Sequence, residues 1–551
     1  MINKLKNLVS GKNSLVSAAT ILILTTLASN VLGLLRDRFF AQKIPTDLLD
    51  TYFAAFRIPD FVFNILILGT ITAAFIPVFL EYREKNKEDA WRVVHIMLGA
   101  ITVSLLGISV LLLLLMPYLV PLLVPDFSAE KQSLTVELAR IMLFQPIFFG
   151  FSYLFSGVLN ALKRFFVYAL APLVYTAAII ISTLLFADQH GPSALVWGVV
   201  AGSFLHMAIQ LLVAKNIGLK LAFSFDFSHP AFKKILRLMV PRSIGLGMLQ
   251  AMLLTFTAIA SALGPGAVAI YSLADNIQTM PTAVFGLSFI TAMYPTMSEN
   301  VAQKKIGEFA HLIWRGIRYL IVLLVPAGIG LILLRSQTVR LILGTGHFGW
   351  EQTILTADTL GLFSLSLFSQ ALVVLISRAF YALHDTKTPT VILVIGYLIS
   401  IGLGWWFAPV AGLDLGVPGL ALAFSLGSFV SLLILYLTIR GRVSELAALE
   451  KDLGLFFRNL FIAGIALVAV VQLEKIVIGG LVDMGKFWGV FVQTAGAIVV
   501  GSLVYLWLLQ LLNVPEIELI KRFLLIRFFK LSGRQLKNTA FELEDASERH
   551  N

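Results

Sequence analysis

Residues 57–82 read RIPDFVFNILILGTITAAFIPVFLEY, a run long and apolar enough to cross a bilayer that nevertheless begins with an arginine, an aspartate and an asparagine and holds two prolines. A charge near the centre of a spanning helix costs about 2.5–3.5 kcal/mol even on lenient insertion scales. At helical spacing Arg57, Asp60 and Asn64 fall on one face. Such a stripe cannot face lipid, so it faces the bundle interior or a wet cavity, with Arg57 and Asp60 able to pair in part. The alternative is a structural ion pair that locks this helix to a neighbour. Pro59, inside the stripe, frees a backbone carbonyl that only protein or water can satisfy.

The rest of the chain has the same character. Of 551 residues 58% are hydrophobic and 13% charged, with mean hydropathy +0.89, which places the chain among polytopic membrane proteins. There is no cysteine, so disulfides, thiolate metal sites and cysteine nucleophiles are excluded. The eight histidines form no HxxxH or HExxH pair, and no GxxxxGK[ST] loop is present. No cofactor or metal is expected, and work must come from a gradient or from the substrate.

Apolar stretches of spanning length fall at roughly 14–35, 51–80, 92–123, 134–161, 166–187, 193–214, 238–263, 267–297, 309–334, 354–383, 389–410, 417–439, 456–474 and 487–511. The expected fold is therefore all-α with about fourteen transmembrane helices. The basic start and apolar run of the N-terminus read as the first span, the run being too long for a signal peptide. Assigned to alternate loops, 31 of the 42 Lys and Arg lie on the side of the termini and 9 on the other, with Arg57 and Arg378 inside spans. By the positive-inside rule both termini are cytoplasmic. The net charge of +11 is accounted for in this way, without nucleic acid. The tail KRFLLIRFFKLSGRQLK interleaves basic and aromatic residues directly after a span and reads as an interfacial helix on anionic lipid.

A weak repeat runs through the chain. FIPVFLE (75–81) matches MYPTMSE (293–299) at an offset of 218, and NALKRFFVYALAP (160–172) resembles YALHDTKTP (381–389) at a similar shift. Two parallel six-helix halves follow, residues 1–220 and 221–445. Two further helices occupy 446–515 and a basic tail 516–551. Parallel halves enclose a substrate path between them.

Other polar residues belong to the same space. Arg36, Asp37 and Arg38 end span 1 on the side where cations are scarce; interface anchoring is their plainer role. Asp275, Asn276 and Gln278 occupy the counterpart of span 2, since Arg57 shifted by 218 is Asp275. Arg378 lies near the end of span 10, where snorkelling is the alternative. Arginine suits phosphate because its fork binds two oxygens at once. Trp405 and Trp406 read as interface belt.

Five segments carry a family resemblance: SNVLGLLRDRFFA (29–41), FRIPDFVFNILILGTITAAFIPVFLEY (56–82), MPTAVFGLSFITAMYPTMSE (280–299), GTGHFGWEQT (344–353) and AFYALHDTKTPT (379–390). In these the chain resembles the MurJ/MviN lipid II flippases of the multidrug/oligosaccharidyl-lipid/polysaccharide exporter superfamily. The resemblance implies translocation of an undecaprenyl-diphosphate-linked disaccharide peptide from the inner to the outer leaflet of a bacterial cytoplasmic membrane. The implied partners are that precursor, membrane lipids, and a monovalent cation or the membrane potential as driver. It also places Arg36, Asp37 and Asp50 at functional positions of the family's cationic cavity. The chain departs from the family where arginines are usual, at Asn30, Phe63, Asn64 and Asn276, and where an acid is usual, at Leu68. It keeps the frame and loses charge. Competing readings are an exporter of another lipid-linked glycan or of an organic cation by antiport, a polytopic glycosyltransferase, and a transport-dead scaffold; the short loops speak against the enzyme.

Overall fold

The protein is described by a computed structural model covering residues 15–68, 74–409 and 412–518. The expected interfacial tail therefore lies almost wholly outside the described residues. Among the described residues the chain is helical and carries no strand.

The first stretch forms α1 (Leu15–Lys43). The second is broken into α2 (Thr46–Phe63), a π-helical turn (Asn64–Leu68) and α3 (Ile76–Lys85). Next come α4 (Lys87–Leu123), α5 (Ala129–Met142), α6 (Phe144–Ala161), α7 (Phe165–His190) and α8 (Pro192–Asn216). After an extended connection follow α9 (Pro230–Ser261), α10 (Ala267–Pro281), a second π-helical turn (Thr282–Leu287), α11 (Ser288–Ala302) and α12 (Ile306–Leu333). The remainder is α13 (Arg335–Leu343), α14 (Trp350–Ser364), α15 (Leu367–Ala382), α16 (Lys387–Phe407), α17 (Gly416–Arg442), the short α18 (Glu445–Leu449), α19 (Leu453–Leu481) and α20 (Phe487–Leu511).

In its described residues each expected apolar stretch falls on a helix or a broken helix. Among the described residues nine helices are long and apolar enough to cross a membrane, and ten if α14 and α15, which meet at 42°, are one span. The stretches outside that set are 14–35, 51–80, 238–263 and 267–297, and two of these, 51–80 and 267–297, hold most of the candidate polar residues.

Sequence explains several of the breaks. Pro59 and Pro281 sit just ahead of the two π-helical turns, and each removes one backbone bond from its helix. The two turns begin 218 residues apart, the offset of the sequence repeat. A second pair of corresponding sites ends α6 and α15. There Lys163 (φ 60°) and His384 (φ 61°) are left-handed, and the next amide reaches back five residues, Arg164 N–H to the Leu159 carbonyl at 2.8 Å and Asp385 N–H to that of Phe380 at 3.0 Å. Both are Schellman closures of a helix end. The pair is 221 residues apart, and its sequence, LKRF against LHDT, has little in common beyond that geometry.

The apolar interior is not one body. At the end of the bundle away from the termini a continuous core runs from Phe40, Leu49 and Tyr52 through Met252 and Phe256 to Leu273, Phe363 and Leu420. At the other end it divides. One branch gathers Phe63, Phe79, Val94, Phe155 and Ile235, and the other Met297, Ile313, Leu375, Leu435 and Leu460. On α2 the change from the shared core to a branch occurs between Ala55 and Phe63, and on α10–α11 between Ile277 and Ile290. The polar stripe lies at this fork.

Candidate functional site

Arg36, Asp37 and Asn276 form one unit. The Arg36 Nε and Nη2 donate to Asp37 Oδ1 at 2.9 and 2.7 Å, and the Asn276 amide donates to Asp37 Oδ2 at 2.9 Å. Asp37 is 1% exposed and Arg36 20%. The aspartate is sealed while the guanidinium keeps donors free towards a cavity of about 150 Å³, lined also by Ser29, Asn30, Gly33 and Thr279. The Asn30 side-chain N–H is buried there with no protein partner. A buried amide donor without an acceptor is costly. Beside a half-committed arginine it adds a second free donor, which suits an oxyanion.

Arg57 does not pair with Asp60, contrary to the reading of the stripe as a partial ion pair. Its Nε donates to Thr257 Oγ1 of α9 at 2.9 Å and its Nη2 to Ser272 Oγ of α10 at 3.2 Å. Among the described residues no carboxylate lies within ion-pairing distance of it. Asp60 is half-buried, and the Asn64 amide is turned onto the Asp60 backbone carbonyl at 2.8 Å. Asp275 accepts from Gln278 at 2.9 Å; Gln278 is held in turn by Gln370 at 3.0 Å.

Asp50 lies away from the 150 Å³ cavity and is fully buried. It accepts from the backbone N–H groups of Gly266 and Ala269, both at 2.8 Å, and from Lys131 Nζ at 2.7 Å. Lys131 also reaches Asp47 at 2.5 Å and lies 4.0 Å from the centre of the Phe127 ring. A carboxylate at the first amides of α10 satisfies donors that the helix itself cannot, and it meets the positive end of the helix dipole. This joins α2 and α5 to α10 beside the undivided core. Arg38 adds a second tie there, donating to the Leu341 carbonyl of α13 at 2.5 Å. Arg378 is not brought to any of these groups: its guanidinium stacks on Tyr294 at 5.3 Å, near the divided end.

Lys131, Thr257 and Ser272 are participants that the sequence reading did not single out. Lys131 carried one signal, a cation among loops nearly devoid of them; the two hydroxyls carried none. Phe63, at a position where the family has arginine, packs against Phe149 at 5.3 Å and Tyr153 at 5.2 Å and belongs to the apolar core.

Comparison with known proteins agrees with this architecture. Residues 45–508 match the family described as "Lipid II flippase MurJ". A probable lipid II flippase MurJ of Rhizobium tropici is 30% identical over 428 residues, covering 76% of this chain and 79% of that protein. Among solved structures, a lipid II flippase MurJ in an inward closed conformation superposes with a TM-score of 0.72 at 22% identity, covering 89% of this chain and 98% of that one. An inward-facing multidrug resistance MATE family transporter of the MOP superfamily superposes with a TM-score of 0.66 at 16% identity, covering 77% and 99%. The match spans most of the chain and takes in every polar cluster described above except the α1 residues, so this multi-pass, all-helical membrane protein belongs to the MurJ lipid II flippase family, a family of transporters rather than enzymes.

Proposed function

We propose that the chain moves a polyprenyl-diphosphate-linked peptidoglycan precursor, lipid II, from the inner to the outer leaflet of a bacterial cytoplasmic membrane by alternating access. The carrying observation is the forked core, undivided and latched at one end and split at the other, with the cavity that holds the free donors of Arg36 and Asn30 at the fork. An apolar core joined at one end and divided at the other fits one of the two states such a cycle needs. The orientation follows from the basic-residue count: the split end is the cytoplasmic one, with both termini there.

In this reading residues 1–220 and 221–445 are two parallel six-helix halves that rock against each other, the start of α9 with Ala231 and Ile235 staying packed in the first half's branch. The repeated π-helical turns and the repeated helix ends at Lys163 and His384 support that division, with 446–515 as two added spans to make fourteen. The diphosphate binds the free donors of Arg36, which Asp37 and Asn276 hold in place, while Arg57, Asp60, Asn64 and Asp275 line the route towards the cytoplasm. A monovalent cation or the membrane potential drives the cycle.

The test is genetic and biochemical together. Cells depleted of their lipid II flippase should grow when this chain is supplied, and the purified protein in liposomes should expose labelled lipid II at the outer surface. A chain that reaches the membrane, binds no diphosphate lipid and fails to restore growth would refute the proposal.

A further inference from the structure

The connection between α8 and α9 is an irregular segment, residues 219–226, held against the first turns of α4. The Ser224 N–H donates to the His95 carbonyl at 3.0 Å, His95 Nε2 lies 2.9 Å from the Lys220 carbonyl, and Arg92 pairs with Asp226 at 3.1 Å. Gly99 permits this approach, because a Cβ there would come within 2.2 Å of the Ser224 carbonyl oxygen. Along the chain here Leu221, Phe223, Phe225 and Phe227, at every second position, are exposed at 44, 51, 60 and 37% and form an apolar row.

Two features adjoin the row. An apolar slot of about 360 Å³ opens beside it, lined by Phe227, Phe232, Ile235 and Leu236 on one side and Met97 and Ala100 of α4 on the other. Around it Lys215, Lys220, Lys233 and Arg237 are exposed, and none has an acidic partner among the described residues. The acids next to them are engaged elsewhere, Asp226 by Arg92 and Glu81 by Lys234 at 2.6 Å. From Arg92 to Gly99 the segment follows α4 for about 10 Å, at 1.5 Å of rise per residue, into the apolar stretch. The aromatic row therefore sits at the boundary between headgroups and acyl chains, and the cations sit just outside it.

We propose that this surface is a binding site for an anionic glycerophospholipid of the leaflet on the side of the termini. The phosphate rests among Lys220, Lys233 and Arg237, one acyl chain enters the slot, and the phenylalanines fill the interface around it. Unpaired cations beside an interfacial aromatic row select anionic over zwitterionic lipid. The slot shares no lining residue with the α1–α10 cavity, and the proposal does not depend on what the chain transports.

The full-length chain, purified and delipidated, is to be titrated with phosphatidylglycerol, phosphatidylcholine and undecaprenyl diphosphate, and bound lipid counted by native mass spectrometry. Phosphatidylglycerol should be retained over phosphatidylcholine. The triple variant Lys220→Gln/Lys233→Gln/Arg237→Gln should lower phosphatidylglycerol retention tenfold or more, each cation near the surface contributing about fivefold, and leave phosphatidylcholine unchanged. Ala100→Phe, which fills the slot, should lower both. Equal retention of the two phospholipids by the unsubstituted chain overturns the proposal without any variant. Undiminished phosphatidylglycerol binding in the triple variant overturns it as well. So does displacement by undecaprenyl diphosphate at equal concentration with the same sensitivity to the variants, since the site would then be the substrate's.

Discussion

Replacing Asp50 with asparagine should release the latch at the undivided end. The carboxylate accepts three hydrogen bonds, from the amides of Gly266 and Ala269 and from Lys131, in a site with no exposure. Asparagine has the same shape but only one accepting oxygen, so at least one donor at the start of α10 faces an amide N–H instead. A hydrogen bond to a charged group is worth about 1.5–3 kcal/mol. Lys131 keeps Asp47, which recovers part of its share. A net loss of about 2–3 kcal/mol at the closed end follows, which shifts the closed-to-open equilibrium by about 30- to 150-fold at 1.36 kcal/mol per decade. Because the chain has no cysteine, a single Thr279→Cys reports on the cavity without background. In sealed cells an impermeant thiol reagent should modify that cysteine slowly when Asp50 is intact and about 30-fold faster or more in Asp50→Asn. Equal rates in two well-folded proteins would refute the reasoning, and would mean that the apolar core alone holds that end shut.

Four further outcomes follow. Arg36→Ala should abolish flipping with expression intact and weaken diphosphate-lipid binding about tenfold or more, and Arg36→Lys should rescue it only partly because an ammonium lacks the fork; unchanged affinity in the alanine variant would shift the role to Arg57 and Arg378. Single cysteines at Asp60 and Asn64 should react with a water-soluble reagent, while those at Val62 and Ile65, which line an apolar lateral slot with Ile108 and Leu254, should be protected; uniform protection would make the stripe a structural contact. Reporter fusions after residues 85, 218 and 445 should read as cytoplasmic, and those after 128, 190 and 412 as external; one inverted pair would mean a misplaced span. Asp385 lies in the turn between α15 and α16, where burial opposes its ionisation but the Thr388 hydroxyl and amide and Arg442 outweigh it and push its pKa down to about 2. A depressed carboxylate stabilises above its unfolded pKa of about 3.9 and loses that effect as pH falls towards 2, so Asp385→Asn should lower thermal stability by a constant amount, about 1 kcal/mol for a surface pair, from pH 5 to 8 and by less at pH 3. A difference that grows from pH 5 to 8 would contradict the assignment.

What could be read from the sequence was what depends on periodicity and on local steric rules. The face shared by Arg57, Asp60 and Asn64 follows from helical spacing; the turns at Asn64 and Thr282 recur at the offset of the repeat, but the prolines ahead of them are 222 residues apart and do not mark them in register. Which surface meets that face does not follow, because it depends on helices some 200 residues away. The partners of Arg57, Thr257 and Ser272, are common residues in an apolar helix and carry no pattern of their own. Asp50 read as a cavity acid because it matches a family position, yet its partners are mainly backbone amides, which no sequence displays. Phe63 read as a missing charge. In the fold it sits among Phe149 and Tyr153, in an apolar setting that a charge would not suit.

The choice of partner for Arg57 bears on how the two ends can alternate. An arginine buried against a carboxylate is hard to separate, because breaking a buried pair leaves an uncompensated charge at a cost of about 3–5 kcal/mol. Arg57 is held by two hydroxyls instead, one on α9 and one on α10, each of which also donates to a carbonyl one turn back in its own helix, Thr257 to Leu253 and Ser272 to Val268. When Arg57 withdraws, both hydroxyls therefore remain satisfied, and the guanidinium alone must find new acceptors. Asp60 lies one turn along its own helix, and Asp275 one turn beyond Ser272. A diphosphate arriving at the fork offers acceptors of the same kind. The arginine is thus attached to the second set of helices by bonds weak enough to exchange, with carboxylates within reach on either side. Under the proposed alternating access, such an arrangement suits a contact that is remade in every cycle better than one that fixes the fold. Substituting Thr257 with valine and Ser272 with alanine should accordingly leave the protein folded while altering how readily the cavity cysteine at 279 is reached from outside. A double variant that unfolds would place Arg57 among the structural contacts instead.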